Sequence, residues 1–316
     1  MTAKQLLAIG MCATAATLAA TPSLRAENKI PSECQTGGFF IGCQAYTFNR
    51  FTVFEAIEKT AQSGGKVIEF YPGQKLSKDE PKQVWDHNAS AEVMRQKLSK
   101  DEPKQVWDHN ASAEVMQKVK DKLAECKVKA VNYGVVGIPK DEAGARKVFE
   151  FAKAMGIRAV TTESAESIET IEKLVKEYDI LVGYHNHPKR ADNPKYLMWD
   201  PNYVLSLVKD RDPRIGSAAD TGHWLRSGLN PVECLKILKG RIISSHLKDL
   251  NEMSPGGHDV PYGMGVSDVP ALLKELRAQH FDGNISIEYE YHWDNSTPEV
   301  GQCIGFVRGY GLAQKW

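Results

Sequence analysis

Eight short apolar segments, each followed by a stretch with the spacing of an amphipathic helix, run from Phe39 to the C-terminus. Strands that alternate with helices at this pitch pair in parallel through βαβ crossovers, and eight such units can close into a barrel. The predicted strands are 39–46, 66–71, 127–136, 157–162, 180–185, 215–219, 242–247 and 284–289. We therefore predict an α/β protein in which residues 37–316 form a single (β/α)8 TIM barrel.

The first 26 residues do not follow this pattern. Lys4 precedes an Ala-rich apolar stretch at 6–20, and small residues with Pro22 come next, which resembles a secretory signal peptide. The stretch is short for a membrane span, so we expect a periplasmic or secreted protein without stable membrane insertion; an uncleaved anchor is the alternative. Outside this leader the five cysteines include no CxxC pair, which argues for buried apolar cysteines rather than a cysteine-held zinc.

The charge balance restricts the class of partner. The chain has 40 basic and 40 acidic residues and no basic run. Nucleic-acid binding relies on clustered positive charge, so we expect no nucleic-acid partner and a small-molecule substrate instead. The sequence leaves open whether the protein forms a homo-oligomer.

One segment after the second predicted strand interrupts the rhythm. Residues 74–94 recur without change as 96–116, at a period of 22 residues. A solenoid would need three or more copies, so two identical copies indicate a duplication inside one loop. The second copy leads directly into a predicted helix at 113–126, with Ser112 as its N-cap. The first copy is therefore predicted to be a surface insertion, because long loops cost little to extend.

The later strands group their polar residues on one face. Side chains along a strand point alternately to its two faces, and in four predicted strands the small and polar residues fall together, so we expect that face to line the barrel. The predicted inward residues are Gly183, His185 and His187; Gly216, Ala218 and Asp220; Ser244, His246 and Lys248; and Ser286, Glu288 and Glu290, with Ile243 among the outward ones.

These inward residues stand at the carboxyl ends of their strands, which meet at one rim of a barrel. Asp220, His246 and Glu288 would come together there as two carboxylates and an imidazole. Mn²⁺ and Mg²⁺ favour such an oxygen-rich set, and Zn²⁺ or Co²⁺ tolerate it. We therefore expect one divalent metal ion, with Glu163 or His185 as the fourth ligand. The alternative is a network of salt bridges and hydrogen bonds without a metal.

Three segments together resemble the xylose-isomerase-like superfamily, in its sugar phosphate isomerase/epimerase branch: Asp220-Thr-Gly-His223, the strand end with His246 and Lys248, and the strand ending in Glu288. The resemblance implies a TIM barrel with one or more divalent metals. In the epimerases of that group a Glu, an Asp, a His and a Glu hold the metal, and the matching motifs give Asp220, His246 and Glu288. The first Glu has no counterpart, because its place falls at Tyr184-His185.

Such a site suits proton abstraction next to a carbonyl, in which one acid–base group removes the proton and a second returns it. The predicted proton-transfer pair is Glu163 and Glu288, with Glu290 as substitute. Hydroxyl or enediolate binding is predicted for His187, His223 and Lys248, and stacking on a sugar face for Trp224 and Tyr262. The alternatives are core packing for both aromatic residues and, for Lys248, a salt bridge to Asp249 or Glu290.

The resulting function is a metal-dependent isomerase or epimerase acting on a sugar or keto-sugar. The same first step also serves a lyase or dehydratase, since a leaving group beside the carbanion can depart. A carbohydrate-binding barrel without catalysis is a further alternative. The resembled superfamily also includes metal-dependent endonucleases that act on abasic DNA, and the resemblance implies that a loop of theirs supplies an Asp and a His to an additional metal. Here His258 and Asp259 are adjacent, a different spacing, so a multi-metal phosphodiesterase is disfavoured.

Overall fold

A computed structural model describes residues 30–78 and 106–316, in which eight parallel strands close into a barrel. The strands are β1 Phe39–Gln44, β2 Val67–Phe70, β3 Lys129–Tyr133, β4 Ala159–Thr162, β5 Leu181–His185, β6 Ile215–Asp220, β7 Ile242–His246 and β8 Asn284–Ile287. Each strand pairs with the next, and β8 returns to β1 with Ile285 opposite Ile41. The predicted TIM barrel is confirmed.

Helices connect the strands and surround the barrel. They are α1 Val53–Gln62, α2 Ala113–Cys126, α3 Glu142–Met155, α4 Ile168–Tyr178, α5 Pro201–Val208, α6 Thr221–Arg226, α7 Pro231–Ile237, α8 Val269–Ala278 and α9 Thr297–Gln314. Local sequence sets their starts: Thr52 and Glu55 form a capping box at α1, and Asp200 caps α5 just before Pro201. The predicted helix at 113–126 is confirmed as α2, with the same bounds.

The main hydrophobic core lies between the strands and the helices, and it includes Ile68 and Phe70 of β2 with Val148 and Phe149 of α3. One predicted orientation is wrong. The register between β6 and β7 shifts between Ile242 and Ser244. Ile243 accordingly packs with Ala159 and Leu181 in a small cluster apart from that core, because a bulge reverses the alternation of faces.

The duplicated segment contributes residues from both copies to the described structure. Gln74–Lys75 of the first copy pairs antiparallel with Val106–Trp107 of the second. Gln74 is fully buried, and its Nε2 donates to the carbonyl of Phe48 at 3.3 Å. The start of the first copy is therefore packed into the fold and is not a surface insertion, while 79–105 lie outside the described residues, as does the predicted leader at 1–26.

Within the described ranges, Cys34, Cys43, Cys234 and Cys303 are buried and Cys126 is half-buried, and all five are free thiols. The prediction of buried apolar cysteines is confirmed for the first four. No helix in residues 30–78 and 106–316 is both long enough and apolar enough to cross a bilayer.

Candidate active site

Side chains from four neighbouring strands converge at the carboxyl rim of the barrel. Asp220 Oδ2, at the end of β6, lies 3.8 Å from His185 Nε2 and 3.7 Å from His246 Nδ1. Glu288, just after β8, places its Oε2 3.3 Å from the same His246 Nδ1. Asp220, His246 and Glu288 were predicted to meet, with Glu163 or His185 as the fourth residue, and the structure brings the three together with His185 beside them.

Lys248 lies inside this cluster with no exposed side-chain surface. Its Nζ is 3.1 Å from Asp220 Oδ2, 2.9 Å from Glu288 Oε2 and 2.6 Å from Glu290 Oε2. Gly222 allows this approach, since a Cβ there would stand 2.7 Å from the Lys248 Cδ. Of the two salt-bridge partners considered from the sequence, Glu290 is present, and Asp249 instead accepts hydrogen bonds from the Gly263 and Gly265 amides.

These charges control the protonation of the carboxylates. Burial alone would raise the pKa of Glu288, but Lys248 and His246 outweigh it and lower that pKa to about 2. Burial would also raise the pKa of Asp220, which His223 and Lys248 hold well below its usual value. Burial would lower the pKa of His246, whereas the carboxylates around it raise that pKa well above its usual value. Both acids are therefore ionised at neutral pH.

Glu290, predicted to bind substrate, is held in ion pairs on the outer side of Lys248. Its Oε2 also lies 3.1 Å from Arg226 Nη1, and the same guanidinium reaches Asp259 Oδ2 at 3.3 Å. Arg226 Nε donates to the Gly257 carbonyl at 3.0 Å. The glycine-containing loop after β7 is thus fastened to α6, and His258 does not take part in this network.

Glu163, at the end of β4, forms a second group next to the first. Its Oε1 lies 2.5 Å from His187 Nδ1, 2.9 Å from the Tyr196 hydroxyl and 3.4 Å from His185 Nδ1. Burial would raise the pKa of Glu163, but the two histidines outweigh it and lower that pKa far below its usual value. His185 therefore stands between the groups, with Nδ1 facing Glu163 and Nε2 facing Asp220.

His223 enters the rim from the first turn of α6. Asp220 is the N-cap of this helix, and its Oδ1 accepts the His223 backbone N–H at 2.7 Å. The imidazole Nε2 lies 3.6 Å from Asp220 Oδ2, and Nδ1 lies 3.1 Å from Arg226 Nη1. The ring also stacks on His187, with centroids 5.1 Å apart and planes inclined by 29°.

The donor set at the rim fits a divalent cation. His185, Asp220, His223 and Glu288 each offer one ligand atom, and these atoms all lie within 4.8 Å of one another. Asp220 Oδ2 and His185 Nε2 are buried and have no hydrogen-bond partner of acceptable geometry among the described residues. Buried polar atoms are normally satisfied, so such atoms facing a shared point are what a metal site requires. Glu163, His185 and His187 form a second group of this kind.

Glu69 of β2 is a site residue that the sequence analysis missed. It is fully buried, and its Oε2 lies 3.1 Å from His246 Nε2, on the side of the ring away from Asp220. Asn284 Nδ2 is 3.5 Å from the same oxygen. The available signal was the strand itself, because an acidic residue within the apolar run Val67–Phe70 is costly to bury without a partner.

Trp224 and Tyr262 do not support the predicted stacking on a sugar. Their exposed fractions are 1% and 5%, and both belong to the main hydrophobic core. The Tyr262 hydroxyl donates to the Leu247 carbonyl at 2.6 Å, and its ring packs edge-on against Phe306. Core packing, the alternative considered for both residues, is what the structure contains.

This chain is similar to a known protein family and to several solved structures. The family model described as xylose isomerase-like TIM barrel matches residues 110–309. An uncharacterised protein from Parabacteroides distasonis ATCC 8503 is 29% identical, with a TM-score of 0.62 over 85% of this chain and 98% of the other. A D-tagatose 3-epimerase-like protein is 16% identical, with a TM-score of 0.60 over 87% and 99%.

A further similar structure is a sugar phosphate isomerase/epimerase from P. distasonis, at 14% identity and a TM-score of 0.56 over 85% of this chain and 95% of the other. At 16% and 14% identity, the likeness to the last two structures establishes a shared fold and nothing more. No curated protein matches the chain.

Proposed function

Because this chain belongs to the xylose isomerase-like TIM-barrel family, we propose that it is a sugar isomerase or epimerase that uses one divalent metal ion, Mn²⁺, Mg²⁺, Co²⁺ or Zn²⁺. The substrate is a sugar or keto-sugar, and the reaction is proton abstraction at the carbon next to the carbonyl. Zero net charge and the family's fold both agree with a small-molecule substrate.

The observation that carries this proposal is the convergence of Asp220, Glu288, His246 and His185 at the rim, where the buried atoms Asp220 Oδ2 and His185 Nε2 make no hydrogen bond of acceptable geometry among the described residues. A carbohydrate-binding site has no need for ionised carboxylates buried against an imidazole pair, because burying such charges is costly. A catalytic site does, since it keeps charged groups in place for a reaction.

The metal ligands in this proposal are His185, Asp220, His246 and Glu288. A bound divalent cation would polarise the carbonyl and an adjacent hydroxyl of the sugar. Glu163 is better placed as a partner of the ligand His185 than as a ligand itself, because its Oε1 faces His185 Nδ1. Metal-bound histidines commonly use their second nitrogen in this way. His246 has the same arrangement with Glu69.

The remaining side chains have two proposed roles, which are proton transfer and contact with the oxygen atoms of the substrate. Glu288 is the proposed group that removes the proton, since it is ionised at neutral pH and stands at the rim. Glu163 is a poor second base, because three donors already contact one of its oxygens. Lys248 keeps Asp220 and Glu288 ionised, and His187 and His223 are the proposed contacts to the substrate oxygens.

Deuterium uptake from heavy water tests the reaction class. The metal-loaded protein is incubated with a panel of unphosphorylated keto-sugars, and mass spectrometry follows deuterium at the carbon next to the carbonyl. Glu288→Gln should slow this exchange by about 10²-fold or more, while Glu233→Gln, an exposed residue paired with Lys236, should not. Release of an unsaturated product would instead identify the lyase or dehydratase.

Metal content gives a second test. The purified protein should carry about one divalent ion per chain, and chelation should abolish exchange until the ion is restored. Exchange by a metal-free protein, or no exchange with any keto-sugar, would contradict the proposal.

We also propose that the protein is exported and that cleavage near residue 26 removes the leader. The sequence at 1–26 supports this. N-terminal sequencing of the protein recovered from the producing cells tests it, and an intact Met1 would contradict it.

A further inference from the structure

Two stacked imidazoles at the rim, those of His187 and His223, each contact a charged side chain through Nδ1, and the two side chains carry opposite charges. His187 and His223 lie with their centroids 5.1 Å apart. His187 Nδ1 faces a carboxylate oxygen of Glu163, whereas His223 Nδ1 faces a guanidinium nitrogen of Arg226. A neutral imidazole carries its hydrogen on one nitrogen only, so the partner decides which nitrogen is the donor.

The carboxylate fixes the hydrogen of His187. An ionised carboxylate only accepts hydrogen bonds, and Glu163 Oε1 is 2.5 Å from His187 Nδ1. Nδ1 must therefore carry a hydrogen, and in a neutral ring Nε2 then has a lone pair. Tyr196 secures the arrangement, because its hydroxyl donates to the same Oε1 at 2.9 Å and accepts the His187 backbone N–H at 2.8 Å.

The guanidinium fixes the hydrogen of His223 on the other nitrogen. Arg226 has donors and no acceptor, and its Nη1 is 3.1 Å from His223 Nδ1. Nδ1 must therefore accept, and the hydrogen lies on Nε2, which is 3.6 Å from Asp220 Oδ2, too far for a hydrogen bond. Arg226 cannot easily turn away, since the Gly257 carbonyl holds its Nε and Asp259 holds its Nη2, while Glu290 contacts the same Nη1.

We propose that His187 and His223 are held in opposite tautomers and together recognise a carbonyl beside a hydroxyl. His187 Nε2 accepts the hydrogen bond of the substrate hydroxyl, and His223 Nε2–H donates to the carbonyl oxygen. Glu163 and Arg226 are positioning residues for the two rings. Because Arg226 fixes the hydrogen of His223 on Nε2, the nitrogen that faces the rim, His223 lies outside the proposed metal-ligand set although its atoms are close enough. The substrate part of this inference rests on the proposed function, and the tautomers do not.

Long-range ¹H–¹⁵N correlation spectra of ¹⁵N-histidine-labelled, metal-free protein at pH 8 test the tautomers directly. His187→Gln and His223→Gln assign the two rings among the nine histidines. We expect the hydrogen on Nδ1 of His187 and on Nε2 of His223. The same tautomer in both rings, or hydrogen on both nitrogens of either ring, would overturn the proposal.

Variants of Glu163 separate positioning from a general structural role. Glu163→Met removes the acceptor, and the hydrogen of His187 should move to Nε2, the form that the free side chain favours. Glu163→Gln keeps a carbonyl acceptor and should retain hydrogen on Nδ1. Glu166→Met, at an exposed position nearby, is the matched control and should change neither ring. A folded Glu163→Met protein with the hydrogen of His187 still on Nδ1 would contradict the assignment.

Zinc titration of the labelled protein tests the exclusion of His223 from the metal site. His185 and His246 signals should shift as Zn²⁺ is added, and His223 Nε2 should keep its hydrogen. Loss of that hydrogen with a zinc-bound shift would refute the proposal. If no keto-sugar exchanges deuterium but both tautomers are found, the proposed function fails and the tautomer assignment stands.

Discussion

Lys248→Met removes a buried ammonium that contacts three carboxylates. The methionine keeps most of the stem that packs over Gly222, so the loss of charge dominates the change. Asp220, Glu288 and Glu290 then share one region without the cation that lies 3.1 Å or less from each. Removing one partner of a buried ion pair costs about 3–5 kcal/mol, and we expect the free energy of unfolding of the metal-free protein to fall by that amount.

Urea unfolding at pH 7, after chelation of metals, measures this effect. Lys236→Met is the matched control, because Lys236 pairs with Glu233 at the surface, where such pairs contribute about 0–1 kcal/mol. Adding Mn²⁺ should stabilise the Lys248→Met protein, since the cation supplies the missing charge. Equal stability of the two methionine variants would refute the view that the Lys248 ammonium holds the rim together.

Three further predictions concern other parts of the chain. The pKa of Glu288 is about 2 against the usual 4.5, so its charge stabilises the fold above pH 4.5 and this contribution is lost as pH falls toward 2. Between pH 7 and pH 3, the free energy of unfolding in urea should therefore fall by about 2 kcal/mol less for Glu288→Gln than for the parent. Equal falls in the two proteins would contradict this. When 74–95 are deleted, the identical start of the second copy takes the place of the first, and the connection 76–105 shortens to eight residues. A shorter loop costs less entropy to close, so we expect a folded barrel that is up to about 1 kcal/mol more stable. Loss of the thermal unfolding transition would show that both copies are needed. Glu69→Leu leaves His246 Nε2 without its carboxylate, and calorimetry with Mn²⁺ should find binding weakened about 10- to 100-fold, whereas unchanged binding would exclude a positioning role.

The barrel could be predicted because its signal is local and repeated. Each strand is a short apolar run, and all eight predicted strands overlap the observed ones. The face of a residue could be inferred from alternation, which succeeded for Asp220, His246 and Lys248. It failed for Ile243, since the register shift beside it depends on pairing with β6 and has no signature in its own strand.

The sequence was enough to predict most of the residues of the candidate site, but not how they are arranged within it. Strand ends identified Asp220, His246 and Glu288, because topology brings those ends together. The choice between Glu163 and His185 depends on distances across the rim, which no sequence pattern carries. Glu69 was missed because it lies within its strand and reaches His246 across the barrel interior. Trp224 and Tyr262 were expected at the rim, but their rings turn into the core.

His185 touches both polar groups, with one nitrogen toward Glu163 and the other toward Asp220. A proton gained or lost in the group around Glu163 therefore changes the protonation of the group around Asp220, and the ionisable side chains of the rim titrate together. An inflection in a plot of rate against pH would belong to the whole assembly and not to one side chain. Replacing Tyr196, which lies on the Glu163 side, should then displace inflections that would otherwise be ascribed to Glu288 on the far side.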